Sequence, residues 1–498
     1  MKKSFLYVLG MLLSCTLLYS CFEDEGNYDY TDLPRFEVDT VGVNTLLSIT
    51  QFDVVNLTPK LIYEGDKSDL DFIWSAYRAE NYGSNIADTL ANTENFNQKI
   101  TLAPDKYILE FCAVNRNTGL TTKMRYTMNV ESYAGPGLMV FYTNGTNCDV
   151  DIIRTKTFMG AVTKNEVRRN IYTNIESNPK LTGTPIAIGD VEVHVDIVTD
   201  KEAIQVSRDD LSMIRSFEQM FYDDVPTKNP QGYRTQDGTD DKCFINDGKA
   251  YVSIYGSEIF GTARAMNGDS YYASPYSVFA YGMNHVFYDE EHCRFLYSGM
   301  FSGTLETVSD KKLENLNRTL LTLQRGFTDG KIRFSNYAYA VMKDRNDASK
   351  RYLMNISAAR SALDIKLLNE FDITAFPGIT KATGYGFSES SPLFYYSTDN
   401  SLYVCPFNLD QNTINMPSAA SWTAPAGETI TYMQLFKAKG IDLSESPTNK
   451  YLLVATYNGS MGKVYLLKTD MASGVIDPTP LEIYDGFGKI GCIEFKSN

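Results

Sequence analysis

The sequence predicts an all-β protein, in which an N-terminal immunoglobulin-like (Ig-like) β-sandwich is followed by a C-terminal β-propeller of about six to eight blades. Short alternating strands separated by turn residues run from about Phe36 to Val130, around the central Trp74. From Gly135 onward, strand–turn–strand pairs recur at intervals of roughly 40–60 residues, which is typical of propeller blades. The 34 Tyr and 27 Phe residues suit half-buried strands.

The first residues have the features of a bacterial lipoprotein signal. Lys2 and Lys3 precede a mostly apolar run, residues 5–18, which is too short to cross a membrane. The run ends at Leu18-Tyr19-Ser20-Cys21, which resembles a lipobox. We therefore expect residues 1–20 to be a signal peptide, Cys21 to be acylated and residues 21–35 to form a tether to the membrane. The alternative is an ordinary cleaved signal peptide with a coincidental cysteine.

Acidic residues follow the predicted lipidation site. Phe22-Glu23-Asp24-Glu25 resembles the signal that exports lipoproteins of Bacteroidetes-type bacteria to the outer face of the outer membrane. The alternative is a solvated linker. The whole chain has a formal charge of −15. This acidity argues against binding to nucleic acid and against flat adsorption on anionic lipid.

Six cysteines remain after Cys15 and Cys21 are set aside, and no CxxC pair occurs among them. Although the compartment would permit disulfides, most of these cysteines lie in apolar strand-like runs, which favours buried free thiols. Zinc is not expected without close spacing of Cys and His.

The N-terminal domain, predicted over residues 36–133, resembles a known family. The motifs that carry the resemblance are Cys21 with its acidic residues, residues 26–30 (GNYDY), 57–59 (LTP), 72–74 (FIW), 107–111 (YILEF) and 117–119 (NTG). Together they are similar to the PKD-like family lipoproteins of Bacteroidetes. The resemblance implies an association with SusC/SusD-like outer-membrane uptake systems. Because Cys112 has no partner cysteine in this domain, no antibody-type disulfide is expected.

The C-terminal domain, predicted over residues 134–498, contains the repeated strand pairs. Each has an Asn-, Asp- or Gly-rich turn and was interpreted as the inner hairpin of a blade: 138–153, 243–253, 286–297, 338–354, 393–405 and 452–467. The terminal strand Ile490 to Phe495 would close the ring beside Leu138. A stack of sandwiches is the alternative. Residues 209–221, 309–321 and 361–371 are predicted as short helices.

Few motifs point to catalysis. The sequence has no GxSxG, HExxH or P-loop motif, and its histidines are His194, His285 and His292. His194 is interpreted as a structural strand residue and His292 as solvated, so only His285 is a candidate for function. Paired carboxylates for glycoside hydrolysis stay open among 61 acidic residues. Calcium at residues 237–241 is a weaker alternative, because the EF-hand spacing is missing. No cofactor or metal is expected.

Two aromatic segments are the predicted ligand site. Residues 268–282 and 383–392 are rich in Gly, Ser and Pro, which predicts loops. Tyrosine in such loops offers rigid, amphipathic contact to peptides, glycans or chelates. The alternative is that the side chains pack between blades. The predicted ligand-binding residues are Tyr271, Tyr272, Tyr276, Tyr281, Tyr385 and Phe387.

These features predict a surface-exposed outer-membrane lipoprotein that binds a small ligand without catalysing a reaction. The resemblance adds a role as an accessory component of a SusC/SusD-like transporter. A propeller glycosidase or lyase is one alternative, favoured by two acids facing each other across the propeller mouth. A structural lipoprotein without a ligand is the other, favoured by the absence of an axial pocket.

Overall fold

The computed structural model describes residues 35–81, 86–160, 162, 164–191, 193–236, 241–253, 257–437 and 446–497. The predicted signal peptide, Cys21 and most of the tether lie outside these residues, as does most of the candidate calcium segment 237–241. The chain divides into two compact units. Unit 1 holds Val54–Ile100, Lys106–Asn129 and the described residues up to Ser48, and unit 2 holds Ile49–Asp53, Thr101–Asp105 and the chain from Val130 onward. No helix in the described ranges has the length and apolar character that a membrane crossing requires.

Unit 1 contains one five-stranded sheet and two strand pairs. The sheet has the order Leu46–Thr50, Thr121–Glu131, Asp105–Asn115, Leu70–Arg78, Asp88–Ala91. The two pairs are Phe36–Asp39 with Lys60–Tyr63 and Val54–Leu57 with Phe96–Lys99. Two 3-10 helices, Lys67–Asp69 and Ala79–Asn81, flank the strand Leu70–Arg78.

Trp74 occupies the core of unit 1, as the sequence predicts. Its side chain is fully buried, and its ring centroid lies 4.9 Å from those of both Phe96 and Phe111. Phe96 comes from a strand pair, whereas Phe111 comes from the five-stranded sheet. The indole therefore joins the two layers of the sandwich, and its Nε1 donates a hydrogen bond to the Thr93 carbonyl at 2.9 Å.

The described residues of unit 2 form seven antiparallel sheets, the blades of a β-propeller. In chain order the strands of each blade run from the axis outward, except that blade 1 takes its inner strand from the end of the chain. The strands are as follows: blade 1, Gly137–Thr143, Cys148–Arg154, Glu166–Arg168; blade 2, Pro185–Asp190, His194–Thr199, Ala203–Ser207, Met213–Arg215; blade 3, Pro230–Thr235, Lys242–Asn246, Lys249–Ser253; blade 4, Ala273–Phe279, His285–Asp289, Arg294–Ser298, Thr304–Thr307; blade 5, Arg318–Gly326, Ser335–Asp344, Arg351–Ala359, Leu367–Asp372; blade 6, Gly384–Phe387, Leu393–Ser397, Ser401–Asn408, Thr413–Ile414; blade 7, Thr429–Leu435, Tyr451–Tyr457, Gly462–Lys468, Glu482–Phe487.

The last strand of the chain, Lys489–Lys496, closes the ring. It pairs antiparallel with Gly137–Thr143 and supplies the inner strand of blade 1, with Phe495 opposite Leu138. This pairing confirms the predicted closure. Two short strands supplement the blades: Ala265–Met266 pairs in parallel with Thr304–Thr307, and Trp422–Thr423 pairs with Ser401–Asn408.

Apolar side chains fill the spaces between successive blades. Each pair of neighbouring blades shares a buried cluster, including the pair formed by blades 7 and 1. The strand faces are therefore apolar on both sides, as expected when each sheet is covered twice. Cys112, Cys148, Cys243, Cys293, Cys405 and Cys492 are free thiols, and all except the half-buried Cys112 are buried.

Two sequence-based interpretations were wrong in detail. The repeated hairpins are the second and third strands of their blades, counted from the axis, rather than the inner hairpins, because a further strand lies on the axial side of each of them. The predicted helices are also absent from the described residues. Segment 209–221 forms the strand Met213–Arg215 and the 3-10 helix Phe217–Met220, because Leu211 has a left-handed backbone (φ 61°) that stops a helix. Segments 309–321 and 361–371 contain only the 3-10 helix Lys311–Leu313 before strands begin at Arg318 and Leu367, and Ile379–Lys381 is a further 3-10 helix.

Candidate functional site: the axial cavity

A cavity of about 300 Å³ lies on the axis of the propeller. The inner strands of all seven blades line it, which places it where the seven sheets converge. Polar and apolar residues both line the cavity, and blade 2 contributes only the apolar residues Ile186, Ala187 and Ile188. Each inner strand contributes at least one residue to the lining. Examples, in order from blade 2 to blade 7 and then the terminal strand, are Ile188, Arg234, Tyr276, Gln324, Tyr385, Gln434 and Glu494.

Small residues let the inner strands come together around this cavity. A Cβ atom on Gly232 would overlap the carbonyl oxygen of Pro275 in the next blade, and one on Gly491 would lie 2.7 Å from the carbonyl oxygen of Pro185. Proline is tolerated here because an inner strand has only one strand partner, so that one edge needs no ladder of donors. Of these residues, Pro275 lies in a segment whose composition predicts a loop, and here it marks close approach at the axis.

Tyr276 presents an available hydroxyl to the cavity. Its side chain is 41% exposed, and it is one of the residues that line the cavity. Burial by the surrounding protein raises the pKa of its phenol. Within the described residues, its hydroxyl makes no hydrogen bond. The group is therefore protonated at neutral pH and free to donate to a ligand.

Tyr385 and Gln324 form a second polar position. The Gln324 Nε2 donates to the Tyr385 carbonyl at 2.9 Å and to the Thr322 hydroxyl at 3.0 Å, which joins the inner strands of blades 5 and 6. Burial, opposed by Arg351 and assisted by Tyr276, raises the pKa of Tyr385 to about 12. Both N–H groups of the Gln324 side-chain amide therefore form hydrogen bonds within the cavity wall.

Tyr432 closes the wall between blades 7 and 1. Its hydroxyl donates to the side-chain oxygen of Gln434 and lies 3.1 Å from the carbonyl oxygen of Ile493. Burial raises its pKa well above the ordinary tyrosine value, and Glu494 contributes to the shift. Burial and Asp196 raise the pKa of Tyr233 in blade 3, and Glu494 adds a smaller contribution. Glu494 therefore lies close to two protonated phenols.

Two cations complete the lining. Lys437 is half-buried and forms an ion pair with Glu389, with 2.7 Å between Nζ and Oε1. Arg234 is also half-buried, but no ion pair or hydrogen bond holds its guanidinium within the described part of the chain. Arg234 thus offers the cavity a cation that no carboxylate there neutralises.

A buried polar network supports one wall of the cavity. Tyr233 donates to Asp196 Oδ2 at 2.7 Å, and Lys242 Nζ donates to the same oxygen at 3.0 Å and to His194 Nε2 at 2.7 Å. Burial acts to raise the pKa of Asp196, but the Lys242 ammonium and the hydrogen bonds outweigh it and lower that pKa to about 2. His194 thus has the structural role that its strand pattern predicts.

The predicted ligand-binding residues separate into two groups. Tyr276, Tyr385 and Phe387 line the cavity together. Tyr271 is buried and donates to the Arg264 carbonyl at 2.7 Å. Tyr272 is 41% exposed and accepts from Gln231 at 2.7 Å. Tyr281 is 37% exposed and contacts Phe334.

The interpretation of both aromatic segments as loops was partly wrong. Ala273–Phe279 and Gly384–Phe387 are inner strands, and this is what brings Tyr276 to Tyr385. Sequence reasoning missed Arg234, Gln324, Gln434 and Glu494. A usable signal exists for the first three, since each lies in the segment just before a conspicuous hairpin, where the inner strand of a blade must lie.

The remaining histidines do not face the cavity. His285 is fully buried between Phe279 and Phe287, at centroid distances of 4.4 and 5.8 Å, and burial lowers its pKa to about 3. His292 is half-buried, not simply solvated, and its Nδ1 lies 2.9 Å from Asp289 Oδ2. Asp289, Glu291 and His292 could together hold a metal ion. However, the Arg294 Nε already lies 3.0 Å from Asp289 Oδ2, so that a metal would compete with an existing cation.

Solved structures with a similar fold are distant in sequence. A quinonprotein alcohol dehydrogenase-like protein from Bacteroides thetaiotaomicron aligns at 12% identity and a TM-score of 0.52, over 94% of this chain and 100% of that chain. Hsv2 from Kluyveromyces lactis aligns at 8% identity and a TM-score of 0.37, over 70% of this chain and 95% of that chain. A second Bacteroides thetaiotaomicron protein, of unknown function, aligns at 11% identity and a TM-score of 0.34, over 88% and 99% of the two chains. At these identities the likeness concerns the fold alone.

No curated protein resembles the chain closely enough in sequence to count as a relative. The N-terminal part of the chain nevertheless has a recognisable family. The model of the PKD-like family matches residues 21–185, a range that includes every strand of unit 1 and the first three strands of blade 1. The N-terminal region of the chain is therefore PKD-like.

Proposed function

We propose that this protein is a surface-exposed outer-membrane lipoprotein that binds a small ligand in the axial cavity of its propeller. We further propose that it does so as a non-enzymatic accessory component of a SusC/SusD-like nutrient uptake system. The observation that carries the binding proposal is the polar cavity of about 300 Å³ lined by all seven inner strands. A volume of this size is at the lower end of small-molecule sites, roughly 300–1,000 Å³.

The side chains that line the cavity favour binding of a ligand over a purely structural role. Tyr276 and Arg234 present a hydroxyl and a guanidinium that no described residue engages, whereas Gln324, Tyr385 and Tyr432 are fixed by hydrogen bonds within the wall. Such a combination of fixed walls and unengaged donors suits a ligand that supplies acceptors, since unpaired donors in a confined space gain most from a partner. Peptides, glycans and metal chelates all carry such acceptors.

The chemistry of the lining also favours binding over hydrolysis. Among the described residues that line the cavity, Glu494 is the one carboxylate, whereas glycoside hydrolysis generally uses two. A propeller glycosidase or lyase is the competing proposal. Turnover of a bound ligand would favour it.

The location and the partner rest on the sequence. Cys21 and the acids of residues 23–25 support lipidation and export to the cell surface, and both lie outside the described residues. The proposed link to a SusC/SusD-like transporter is drawn from the resemblance to PKD-like family lipoproteins. The PKD-like match over residues 21–185 supports the basis of that resemblance.

Ligand binding can be tested by comparing a variant of two cavity residues with a control variant outside the cavity. Oligosaccharides, short peptides and ferric chelates are screened by thermal shift, and each hit is titrated calorimetrically. We expect Arg234→Gln combined with Tyr276→Phe to weaken binding at least tenfold. Tyr272→Phe is the matched control, because Tyr272 is equally exposed but does not line the cavity, and its affinity should stay within twofold. Equal losses in both variants would place the ligand elsewhere.

The partner proposal has its own test. Tagged, lipidated protein is recovered from outer membranes, and the associated proteins are identified by mass spectrometry, with Cys21→Ser as the unlipidated control. Stoichiometric recovery of a TonB-dependent transporter with its SusD-like lid is the expected result. Recovery of the lipoprotein alone, from membranes in which the transporter complex is intact, would contradict the accessory role.

A further inference from the structure

A second polar cluster lies away from the cavity, where the loops of blades 4 and 5 meet. Arg333 precedes the second strand of blade 5, and Arg360 follows its third strand. The Cζ atoms of both lie 4.4 Å from the centroid of the Phe334 ring. The two guanidinium groups are therefore at most twice that distance apart. Both guanidinium groups contact the Phe334 ring, so we call these three residues the arginine clamp.

No acid in the described chain neutralises the clamp. Neither guanidinium forms an ion pair or a hydrogen bond with any described residue, although both side chains are exposed. The acids of the same two loops are engaged elsewhere: Asp329 bonds to Tyr337 and Lys331, and Asp364 bonds to Ser361. In a chain of charge −15, two adjacent cations without a partner acid form an unusual local concentration of positive charge.

The backbone of the arginine clamp is strained at Phe334. Phe334 has a φ of 58°, which is unfavourable for a bulky residue and is found mainly where a function requires it. Tyr281 of blade 4 supports the ring, with 5.5 Å between the centroids in an edge-to-face arrangement. Its own position is fixed by a hydrogen bond from its N–H to the Ala358 carbonyl at 3.0 Å. The cation–π contacts thus offset repulsion between the two guanidiniums but do not remove it.

We propose that the arginine clamp is a binding site for a small organic di- or tricarboxylate. The planar fork of each guanidinium matches one carboxylate bidentately. A ligand with two carboxylates would engage both arginines at once and replace their mutual repulsion by two charge-assisted contacts. Tyr281, whose ring contacts Phe334, is partly exposed. None of these residues lines the axial cavity, so the site is independent of the ligand proposed there.

The test uses citrate as the probe with the full mature chain at low ionic strength. Binding is followed by calorimetry and by the NMR signals of the arginine Nε–H groups. We expect citrate to bind at least tenfold more tightly than acetate and than the neutral trimethyl ester of citrate. Arg333→Gln combined with Arg360→Gln should weaken citrate binding at least tenfold. Inorganic phosphate distinguishes a dicarboxylate site from general attraction of anions, and phosphate binding as tight as that of citrate would overturn the proposal.

Two further variants serve as controls. One tests whether net charge alone explains the loss of affinity, and the other tests whether the loss occurs without unfolding. Lys468→Gln combined with Lys489→Gln makes the same change in net charge at exposed positions in blades 7 and 1, and it should leave citrate affinity within twofold. Phe334→Gly removes the ring but adopts a positive φ without strain, so it should retain the melting temperature and lose at least fivefold in affinity. An equal loss in the lysine control, or no citrate binding by the unmodified chain, would refute the site.

Discussion

At the residue scale, the buried ionisable groups of the propeller serve packing and position. His285 shows this most clearly, because neither ring nitrogen has a hydrogen-bond partner in the described structure. Burial lowers its pKa from 6.5 to about 3, so that the folded state keeps the imidazole neutral where the unfolded chain would protonate it. A histidine that the sequence marks as the candidate for function is thus a neutral aromatic member of the core.

His285 makes the stability of the protein depend on pH. Below about pH 6.5 the unfolded chain binds a proton that the folded protein does not, so stability falls as the pH falls towards 3. His285→Phe removes this contribution to the pH dependence of stability. Relative to the unmodified protein, the variant should gain about 3 kcal/mol in unfolding free energy between pH 7 and pH 4. Urea unfolding at both pH values measures the gain, and a pH-independent difference between the two proteins would show that His285 is not buried in this way.

The Lys242–Asp196 pair predicts a different response. Both side chains are fully buried, so removing one charge leaves the other buried without its counter-ion. Lys242→Met should therefore cost roughly 3–5 kcal/mol. Lys242→Met combined with Asp196→Asn should recover a large part of this loss, because no buried charge is left. If the double variant is as unstable as the sum of its single variants, the two groups are not coupled.

At the scale of the element, the inner strands decide how the axial cavity forms. Each must come close to two neighbours while leaving one edge unpaired, and this explains their Gly and Pro residues. Gly232 is the clearest case, since a Cβ atom there would overlap the Pro275 carbonyl oxygen of the adjacent inner strand.

Gly232→Ala should consequently destabilise the propeller by about 1–3 kcal/mol, because it forces two inner strands apart. Gly303→Ala is the control, because a Cβ at that position meets nothing within 4 Å and its backbone is not left-handed. It should change the unfolding free energy by no more than about 0.5 kcal/mol. Thermal and denaturant unfolding of both variants provide the comparison. Similar effects at the two positions would indicate that the inner strands are not in close contact.

The same elements explain what could be predicted from sequence. The second and third strands of most blades were predictable, because apolar alternation is interrupted by a turn such as Asn144-Gly145 or Asn458-Gly459. The inner strands were not, since Pro275 and Gly386 locally favour loops and only the ring makes them strands. For the same reason the cavity residues Tyr276 and Tyr385 could be named from their aromatic setting, whereas Tyr271 could not be separated from them. That separation depends on where the inner strand begins, because Tyr271 precedes Ala273–Phe279 and Tyr276 lies within it.

At the scale of the whole molecule, the propeller depends on joining its two ends. Blade 1 is built from residues separated by almost the entire unit, with Gly137 opposite Lys496 and Phe141 opposite Cys492. The terminal strand buries Ile490, Ile493 and Phe495 in the cluster shared by blades 7 and 1. It also supplies Glu494 to the axial cavity, so that closing the ring and completing the candidate site are one event.

Deleting residues 489–498 should therefore abolish cooperative folding of the propeller. Burial of the three apolar side chains contributes roughly 1.5–3 kcal/mol each, and their sum is comparable with the whole stability of a typical domain, about 5–15 kcal/mol. Calorimetry of the truncated chain should show a broadened transition or none for unit 2. A synthetic peptide of residues 489–498 should restore the transition when added in excess, because the strand-binding edge of Gly137–Thr143 is left vacant by the deletion. A truncated chain that still unfolds sharply, near the melting temperature of the full chain, would mean that the six complete blades and the rest of blade 1 are stable without closure and that the terminal strand serves the cavity alone.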